Sequence, residues 1–594
     1  MKSQTRNRKI LNFSLCLLFS GIMPNFTSKV FASDTLDYSK LSTQLSPHIK
    51  KIINMKNIVG LSLALVDGDK IVWSEGFGFT DQKKQKNTTP NTPFRVGSIT
   101  KLFTALSTLQ FEERGLIDID QPLSAYLERF SMKSRFSDES PITIRNILTH
   151  HSGIPTDLYK GQWNKNRFTQ LVEQLRNEYV SYPPRFVLSY SNIGYSLLGS
   201  MIENISKTTY ENVINDNIIH SLNMHNTGFH PSTLFFMPSK AFDTDEQVQK
   251  ILSIRDIPAM GLYSSANDLA KFIRLFTDRD SELHQTIISD EKIEEMFEHQ
   301  NSEVQLDFDD KIGLPWILDQ CAIVDAGKIA EHGGTTMYYS SQMMISSDYD
   351  LGVIVMANTQ GSRSTVNQIA EVVLKKALDL KHGAMENHTP MIAENYPVDA
   401  VPNPSSVGGD YVTDLGLVSL DTIEQELCAC SNKKIIDLVP LPNGWFNLQN
   451  SKPGPDGAMT PKVTEKIIGE HQVMIVKNKQ GRTHRFGTLM PNRAIPSEWK
   501  KRLGQYEIIN QDDSFPIDQV SLTEKDNHIY LGYRMPRLSS MIIELPLSPI
   551  TSTEAVTVGL GRTRGETIQI EQFNADEGEE HLLFSGLIAR KISH

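Results

Sequence analysis

The stretch Phe94-Arg95-Val96-Gly97-Ser98-Ile99-Thr100-Lys101 places a serine hydroxyl and a lysine amine three residues apart. Apolar residues continue at helical spacing as far as Leu109, which predicts an amphipathic helix that begins at the serine and ends near Gly115. Residues three apart share a helix face, so Ser98 and Lys101 are neighbours there. A desolvated, neutral lysine can take the proton of a serine alcohol. The stretch therefore predicts a nucleophile and its base.

The same spacing occurs twice more in the chain, in Ser431-Asn432-Lys433-Lys434 and in Ser497-Glu498-Trp499-Lys500. Neither of these stretches precedes a long helix with an apolar face. An isolated match is more typical of a helix cap beside a solvated lysine. The assignment of Ser98 therefore depends on partner residues further along the chain.

The composition limits the kinds of protein that this chain can be. With 594 residues the chain is long enough for two or three domains, and its 39% hydrophobic and 22% charged residues are typical of a soluble globular protein. A net charge of -11 argues against nucleic acid as a main partner. A small molecule or a peptide is the expected partner.

The first residues have the pattern of an export signal. Four basic residues lie between Lys2 and Lys9, residues 10–23 are mostly apolar, and Val30-Phe31-Ala32 provides small residues at a cleavage site. We predict a signal peptide over residues 1–32 and a periplasmic or secreted protein. The alternative is an uncleaved leader that anchors the protein to the cell envelope, although the apolar run is shorter than the ~20 residues that span a bilayer.

No pattern in the sequence indicates a cofactor or a metal ion. Once the leader is removed, three cysteines are left, an odd number that does not suggest a disulfide framework. The histidines 220, 225 and 230 recur every five residues, which does not align them on one helix face. The acidic run 307–310 lacks the glycine and the spacing of a calcium loop.

Alternating apolar residues predict a hairpin over 59–79, and further strands are expected over 338–345 and 351–356. Helical patterns cover 266–276 and 367–378. Strands at both ends of the segment with helices between them favour one α+β domain over residues 33–382. Its antiparallel sheet is expected to join the two ends.

The composition changes after this domain. Residues 383–404 are rich in proline and are predicted to form a linker, and residues 405–594 show β-type patterns with frequent turns. Gly409-Asp410-Tyr411 and Gly504-Gln505-Tyr506 open two similar stretches. We expect an all-β, barrel-like region, either one barrel or two small related ones, through which the protein could form oligomers.

Two further motifs carry polar residues in suitable settings. Tyr190-Ser191-Asn192 follows a proline-containing loop and precedes a helical pattern, so the tyrosine could carry a proton and the asparagine amide could hold a carbonyl. Glu331-His332-Gly333-Gly334-Thr335 leads into a strand. Its glycines would let a substrate backbone approach the sheet edge, and His332 can donate hydrogen bonds or charge.

The order Ser98, Tyr190 and His332, each in this local context, resembles serine hydrolases of the penicillin-recognising type. The resemblance is to the class C β-lactamase-related family, which includes D-alanyl-D-alanine carboxypeptidases, esterases and peptidases. It covers roughly residues 45–380, and the stretches 148–155, 194–205 and 260–265 are also similar. It implies a β-lactamase/transpeptidase-like fold, with an antiparallel sheet flanked by helices.

The resemblance also implies a role for each residue of the site. Ser98 would be the acylated nucleophile, Lys101 its base, and Tyr190 the proton relay to the leaving group and from water. Asn192 would orient the substrate, and His332 would replace the family's lysine. The substrate would lie along Gly333, Gly334 and Thr335, with the backbone N–H groups of Ser98 and Thr335 as the oxyanion hole.

Two residues depart from the family pattern. Met260 and Tyr338 stand where glycines are common, which is expected to put bulk near the cleft. The expected function is an exported serine hydrolase that acts through an acyl-enzyme on esters, D-amino-acid peptides or peptidoglycan-type peptides. The alternatives are a catalytically weak or inactive scaffold or binding protein, and a β-lactamase.

Overall fold

The computed structural model describes residues 36–382 and 408–592, except 82, 84, 138–139, 280, 322, 324–325, 414–415, 424–425, 432–433, 442–444, 449–461, 479–480, 512–514 and 573–578. The predicted signal peptide (1–32) and linker (383–404) lie outside the described residues. Within the described part, no helix is both long enough and apolar enough to cross a bilayer.

The N-terminal part of the chain contains a central antiparallel sheet and several short strand pairs. The strands are β1 (Gly60–Asp67), β2 (Lys70–Asp81), β3 (Lys86–Asn87), β4 (Phe94–Arg95), β5 (Ala241–Phe242), β6 (Val248–Gln249), β7 (Tyr263–Ser264), β8 (Lys311–Ile312), β9 (Ile317–Leu318), β10 (Ile329–Thr335), β11 (Ser340–Ser346) and β12 (Leu351–Ala357). The sheet has the order β3-β2-β1-β12-β11-β10-β9-β8. Because β1 pairs with β12, it joins the two ends of this part, as predicted.

Helices cover both faces of this sheet. They are α1 (Tyr38–Met55), α2 (Thr100–Glu113), α3 (Ile144–Leu148), α4 (Leu171–Gln174), α5 (Asn192–Ser206), α6 (Tyr210–Ile214), α7 (Ile257–Met260), α8 (Ala266–Thr277), α9 (Glu282–Ile287), α10 (Asp290–Met296) and α11 (Arg363–His382). On one face the sheet packs against α1 and α11, and on the other against the helices from α2 to α10. This is the fold class that the sequence predicts.

The strands at the centre of the sheet are apolar on both sides. Along β1, Leu63 and Leu65 belong to the core under α1 and α11, whereas Ala64 and Val66 belong to the core under α2 and α8. Successive side chains of a strand point to opposite faces, so a nearly continuous apolar run is what a doubly covered strand requires.

The helix after Ser98 differs from its prediction in one respect. It was expected to be amphipathic, but its residues from Thr100 to Phe111 are all buried. The threonines on its second face form hydrogen bonds inside the protein; Thr104, for example, shares a hydrogen bond with the Tyr210 hydroxyl and donates to Pro258 O. The helix therefore lies at the centre of the helical layer, with no face open to water.

The C-terminal region forms two closed eight-stranded barrels, so the second of the two predicted alternatives is observed. The first barrel has strands β13 (Gly409–Thr413), β14 (Gly416–Ile423), β15 (Glu426–Ser431), β16 (Lys434–Pro440), β17 (Phe446–Leu448), β18 (Lys462–Ile468), β19 (His471–Lys477) and β20 (Thr483–Leu489). After helix α12 (Ser497–Lys501), the second barrel has β21 (Gly504–Ile508), β22 (Asp518–Lys525), β23 (His528–Arg534), β24 (Ile542–Pro549), β25 (Glu554–Thr557), β26 (Thr567–Gln572), β27 (Glu580–Phe584) and β28 (Leu587–Lys591). Closure leaves no free sheet edge.

Both barrels pack against the N-terminal part near Tyr190. One buried apolar cluster, here called the junction cluster, contains residues from all three parts: Tyr182, Val187 and Leu306 with Val473, Ile475 and Leu560. Leu560 lies in the loop between β25 and β26, residues 558–566, here called the β25–β26 loop. Hydrogen bonds hold the loop to the N-terminal part, among them Tyr182 Oη to Gly559 O (3.1 Å), Ser189 Oγ to Gly561 O (3.2 Å) and Thr563 N to Thr156 Oγ1 (2.9 Å).

Candidate active site

Ser98 lies in a 3₁₀ turn, Gly97–Ile99, directly ahead of α2. Gly97 has a φ of 55°, in the left-handed region that favours glycine. A β-carbon at this position would also lie 2.7 Å from the backbone nitrogen of Thr335. The turn therefore packs directly against β10, and the main chain of Ser98 lies beside that of Thr335, as an oxyanion hole built from the two N–H groups requires.

The Lys101 side chain is fully buried, and its amine has three polar neighbours. Nζ lies 2.7 Å from Asn192 Oδ1, 3.0 Å from Ala259 O and 3.3 Å from Ser98 Oγ. The oxygens of Asn192 and Ala259 can only accept hydrogen bonds. A neutral amine donates its two hydrogens to them, and its lone pair then faces the Ser98 hydroxyl. This arrangement is that of a general base for the serine.

The protonation state of Lys101 agrees with this geometry. Burial lowers the pKa of Lys101 well below its usual value, and the positive charge of Arg562 is the next largest cause. The charges of Asp157 and Asp256 act in the opposite direction and are smaller in effect. The neutral amine, which is the form able to take a proton, is therefore favoured.

Asn192 positions the lysine. Its Nδ2 donates to Asp157 Oδ1 at 2.8 Å, and this bond turns its Oδ1 towards Lys101. Asn192 is also the first residue of α5, which Ser191 caps by accepting a hydrogen bond from Gly194 N at 3.0 Å. Both ends of the Asn192 amide thus contact the protein, so here it orients the base.

Tyr190 lies among three basic side chains. Its ring centroid is 4.1 Å from that of His150, 4.7 Å from Lys101 Nζ and 5.1 Å from the guanidinium carbon of Arg562. Burial raises the pKa of Tyr190 to about 12, although a hydrogen bond with Ser98 and the charge of Arg562 act in the lowering direction. Tyr190 is therefore a neutral phenol near pH 7, able to donate a proton.

His332 is buried on β10. Its Nδ1 lies 2.9 Å from Gly333 O, and because a carbonyl can only accept, Nδ1 carries the hydrogen and Nε2 is the acceptor. Burial, followed by the charge of Lys101, lowers the pKa of His332 to about 3. The imidazole is therefore uncharged at neutral pH, whereas the sequence suggested that it could donate charge.

The two glycines that follow His332 make room for the protein itself. A β-carbon on Gly333 would lie 1.7 Å from an Arg363 guanidinium nitrogen, and one on Gly334 would lie 1.9 Å from Val96 O. The contact at Gly334 is with the main chain, so internal packing requires that glycine, whereas the contact at Gly333 is with the end of a flexible side chain. Arg363 is the first residue of α11 and donates to Ser341 O.

The end of β10 leaves an edge beside the serine. Strand β9 pairs with β10 only at Ala330 and Glu331. In the part of the chain that the structure describes, the segment His332–Thr335 therefore pairs on one side only, with β11. A substrate main chain can form hydrogen bonds along this free edge, next to Ser98.

The segment from α1 to α11 contains the nucleophile, the base, the phenol and the strand edge. This segment matches one known family. The profile of the family described as Beta-lactamase matches residues 45–377. The chain belongs to the beta-lactamase family.

Individual members of this beta-lactamase family are distant in sequence. Protein flp of Staphylococcus aureus strain MW2 is 24% identical over 324 residues, which are 53% of this chain and 62% of that protein. Beta-lactamase-like protein 2 of Dictyostelium discoideum is 24% identical over 303 residues, 48% of this chain and 55% of that protein. The chain thus spans about three fifths or less of the length of these curated relatives.

A solved structure, the crystal structure of SurE with D-Leu, is similar over a larger share of the chain. It has a TM-score of 0.53 and 18% sequence identity, and it covers 75% of this chain and 100% of the SurE chain. At this identity the likeness concerns the fold.

Four residues of the site could not be found from the sequence. Asp157 and His150 lie in the stretch that the family resemblance includes or adjoins, but no local pattern assigns them a partner. Arg363 begins α11 and Arg562 lies in the second barrel, so only the tertiary structure brings them to Tyr190, where both charges lower the pKa of the phenol.

Met260 and Tyr338 are both buried, and both belong to the main apolar cluster. Met260 follows Ala259, whose carbonyl oxygen contacts the Lys101 amine. Met260 therefore follows directly on a residue that contacts the base, and the effect of both residues on the width of the cleft stays a prediction.

The remaining motifs have structural settings. Lys500, of the second decoy, is exposed on α12, and the first decoy spans β15 and β16 around residues 432–433, which lie outside the described residues. Asp307, in the acidic run, is buried and contacts His151 Nε2 at 2.7 Å and Leu188 N at 2.7 Å. Among the residues that the structure describes, no group of three or more His, Cys, Asp or Glu could hold a metal ion.

Proposed function

We propose that this protein is a serine hydrolase that forms an acyl-enzyme on Ser98 and releases the acyl group to water. The observation that carries the proposal is the setting of the Lys101 amine. Its nitrogen lies within hydrogen-bonding distance of Asn192 Oδ1, Ala259 O and Ser98 Oγ, so when the neutral amine donates to the first two oxygens its lone pair is available to the Ser98 hydroxyl.

In the first half-reaction, Ser98 Oγ attacks the carbonyl carbon of the substrate while Lys101 Nζ takes the hydroxyl proton. The negative charge that develops on the carbonyl oxygen is stabilised by the N–H groups of Ser98 and Thr335. One such donor is typically worth ~10²–10³ in rate. The bond to the leaving group then breaks, and Tyr190 donates its phenolic proton to that group and is reprotonated from Lys101.

In the second half-reaction, water attacks the Ser98 ester. Its proton passes by way of Tyr190 to Lys101 and from there to Ser98 Oγ, which leaves as the free hydroxyl. The carboxylic acid product departs and the resting state is restored. The pKa of Tyr190 is raised to about 12, so Tyr190 is a neutral phenol in the resting enzyme and Lys101 is the base. During the reaction the phenol passes protons between Lys101 and the leaving group or water.

The proposed substrates are esters and D-amino-acid peptides, including peptides of the peptidoglycan type. The free edge of His332–Thr335 can pair with an extended substrate, and this supports an acyl donor with a peptide-like backbone. The similar SurE structure is described as a complex with D-Leu, so D-amino-acid esters belong in the first substrate panel.

The experiment is labelling with a neutral fluorophosphonate, read by intact mass and peptide mapping. We expect one adduct on wild type, located on Ser98, and none on Ser98→Ala. Ser497→Ala is the matched control because Ser497 and Lys500 have the same spacing on an exposed helix. It should label like wild type.

The same proteins separate the alternatives. A binding or scaffold protein would show no adduct on wild type, or equal adducts on wild type and Ser98→Ala. A β-lactamase would hydrolyse a chromogenic cephalosporin at a rate comparable with its best ester. We expect ester hydrolysis that Ser98→Ala lowers by at least ~10³-fold, with slow or absent cephalosporin turnover.

We also propose that the protein is exported through its N-terminal 32 residues. The basic start, the apolar run and the small residues at 30–32 support this proposal. N-terminal sequencing of protein recovered from the cell envelope or medium tests it. A mature start at Ser33 is expected, and a start at Met1 in the membrane fraction would instead indicate an uncleaved anchor.

A further inference from the structure

A cavity lies beside Tyr190 where both barrels meet the N-terminal part. It has a volume of about 230 Å³ and is lined by Leu188 and Tyr190, by residues of β13 and β20, and by the β25–β26 loop. Three of its lining residues are arginines: Arg485, Arg562 and Arg564. Three separate parts of the chain therefore form the cavity, and the catalytic phenol of Tyr190 belongs to its lining.

The three arginines differ in what they contact. Arg485 donates to Leu560 O and Arg564 donates to Thr413 O, so these two hold the loop to the first barrel. Arg562 is exposed, and its guanidinium lies over the Tyr190 ring at 5.1 Å. Among the residues that the structure describes, the Arg562 side chain forms no hydrogen bond or ion pair.

The charge balance of the cavity is positive. Its one acidic lining residue, Asp310, is already paired with His484 Nδ1 at 2.7 Å. The neighbouring His332 is held neutral by burial and adds no charge. A guanidinium left without a counter-ion next to a catalytic group has five N–H donors free for a planar anion.

We propose that Arg562 of the second barrel forms a carboxylate-binding subsite of the catalytic cleft, selecting substrates whose leaving group carries a carboxylate. The inference rests on the proposed hydrolase activity and names its substrate class. The leaving-group side is assigned because Tyr190, which Arg562 overlies, is the residue that protonates the leaving group. The second barrel thereby takes part in substrate choice.

The test compares two esters that differ only in charge, 3-acetoxybenzoate and 3-acetoxybenzamide. The full-length wild type should have a kcat/KM at least about tenfold higher for the carboxylate, a preference that shrinks as ionic strength rises. The ratio of the two kcat/KM values should fall about tenfold in Arg562→Gln, fall further in Arg562→Glu, and be partly kept in Arg562→Lys.

Arg493→Gln is the matched control, because Arg493 is an exposed arginine in the segment that joins the two barrels and does not line the cavity. Its ratio should equal that of wild type. The inference is overturned if Arg562→Gln and Arg562→Glu change both esters by the same factor and leave the ratio unchanged. Failure of the hydrolase proposal is distinguishable, since then neither ester would be turned over in a Ser98-dependent way.

Discussion

Lys101 and His332 are basic side chains that the structure buries, and in both of them burial is the largest cause of a lowered pKa. They are also coupled, because a proton on Lys101 would lower the pKa of His332 further. A neutral lysine beside a neutral histidine leaves Ser98 next to a proton acceptor and no adjacent ammonium. The chemistry available to Ser98 therefore follows from desolvation as much as from contacts.

At the residue scale, His332 should make stability depend on pH. Its pKa is about 3 in the folded protein and near 6.5 in an unfolded chain, so below pH 6.5 only the unfolded chain takes up the proton. The free energy of unfolding should therefore fall as the pH falls from 6.5 towards 3, by up to about 1.4 kcal/mol per pH unit from this group. Denaturant unfolding at pH 7 and pH 5 measures it.

The control is His332→Asn, which keeps a polar side chain without a titrating ring. Its loss of stability between pH 7 and pH 5 should be smaller than that of wild type, because other groups titrate equally in both proteins. Equal losses in the two proteins would show that His332 is not buried in its neutral form.

Much of the site could be predicted from local sequence, because its nucleophile, base and phenol each sit at the start of a helix. Ser98 and Lys101 stand out by spacing, and Asn192 by its place after a loop. The charge of His332 could not be predicted, since it depends on burial by residues far away in the chain. The partners of Asn192 are likewise set by tertiary contacts with Lys101 and Asp157.

At the scale of elements, the contact of β10 with the turn at Ser98 fixes the cleft. A side chain on Gly334 would place its β-carbon 1.9 Å from Val96 O and 3.0 Å from Ser98 N. Gly334→Ala should push the strand away from the turn. We expect a loss of about 1–3 kcal/mol in the free energy of unfolding and at least about tenfold slower labelling of Ser98.

Gly408→Ala provides the comparison, because a β-carbon there meets only Leu420 O at 3.4 Å. It should unfold and label like wild type. Labelling of Gly334→Ala at the wild-type rate, with an unchanged midpoint of unfolding, would mean that β10 and the turn are not in the close contact described.

Element boundaries show what periodicity can and cannot predict. The closing helix was expected over 367–378 but spans Arg363–His382, because its first turn is polar and Arg363 reaches back to Ser341 O. Helix α2 was expected to keep a solvent face, yet its threonines are satisfied inside the protein. An apolar pattern identifies the side of a helix that faces the core. It does not show which polar side chains are also buried through hydrogen bonds to other buried groups.

At the scale of the whole molecule, the junction cluster links the three parts of the chain. Leu560 of the second barrel is buried with Val187, which lies shortly before Tyr190 in the chain, and with Val473 of the first barrel. Sequence analysis predicted the barrels but could not predict this contact, because hundreds of residues separate Leu560 from Tyr190 and no repeat or motif connects them. The contact is seen only in the tertiary structure, where apolar side chains from all three parts are buried together.

Leu560→Ala tests that linkage. Removing a buried leucine side chain should cost about 2–5 kcal/mol and lower the thermal stability of the second barrel and of the Ser98 site together. Fluorophosphonate labelling after heating gives the temperature at which the Ser98 site is lost. Protease cleavage, mapped by mass spectrometry, gives the temperature at which the second barrel unfolds.

Ile467→Ala is the control, because the Ile467 side chain on the first barrel is 75% exposed. It should leave the temperature of site loss and the temperature of barrel unfolding unchanged. If Leu560→Ala lowers the temperature of barrel cleavage while Ser98 labels up to the wild-type temperature, the barrel and the site are energetically independent.

The central claim is that a buried, neutral Lys101 takes the proton of Ser98, and the pH dependence of Ser98 labelling tests it most directly. The second-order rate constant for a neutral fluorophosphonate should rise with pH, and the midpoint of this rise should lie well below 10.5, the usual pKa of lysine. Lys101→Arg should abolish labelling because arginine stays protonated. A midpoint at the ordinary pKa of lysine, or a Lys101→Arg protein that labels with the wild-type pH profile, would contradict the account.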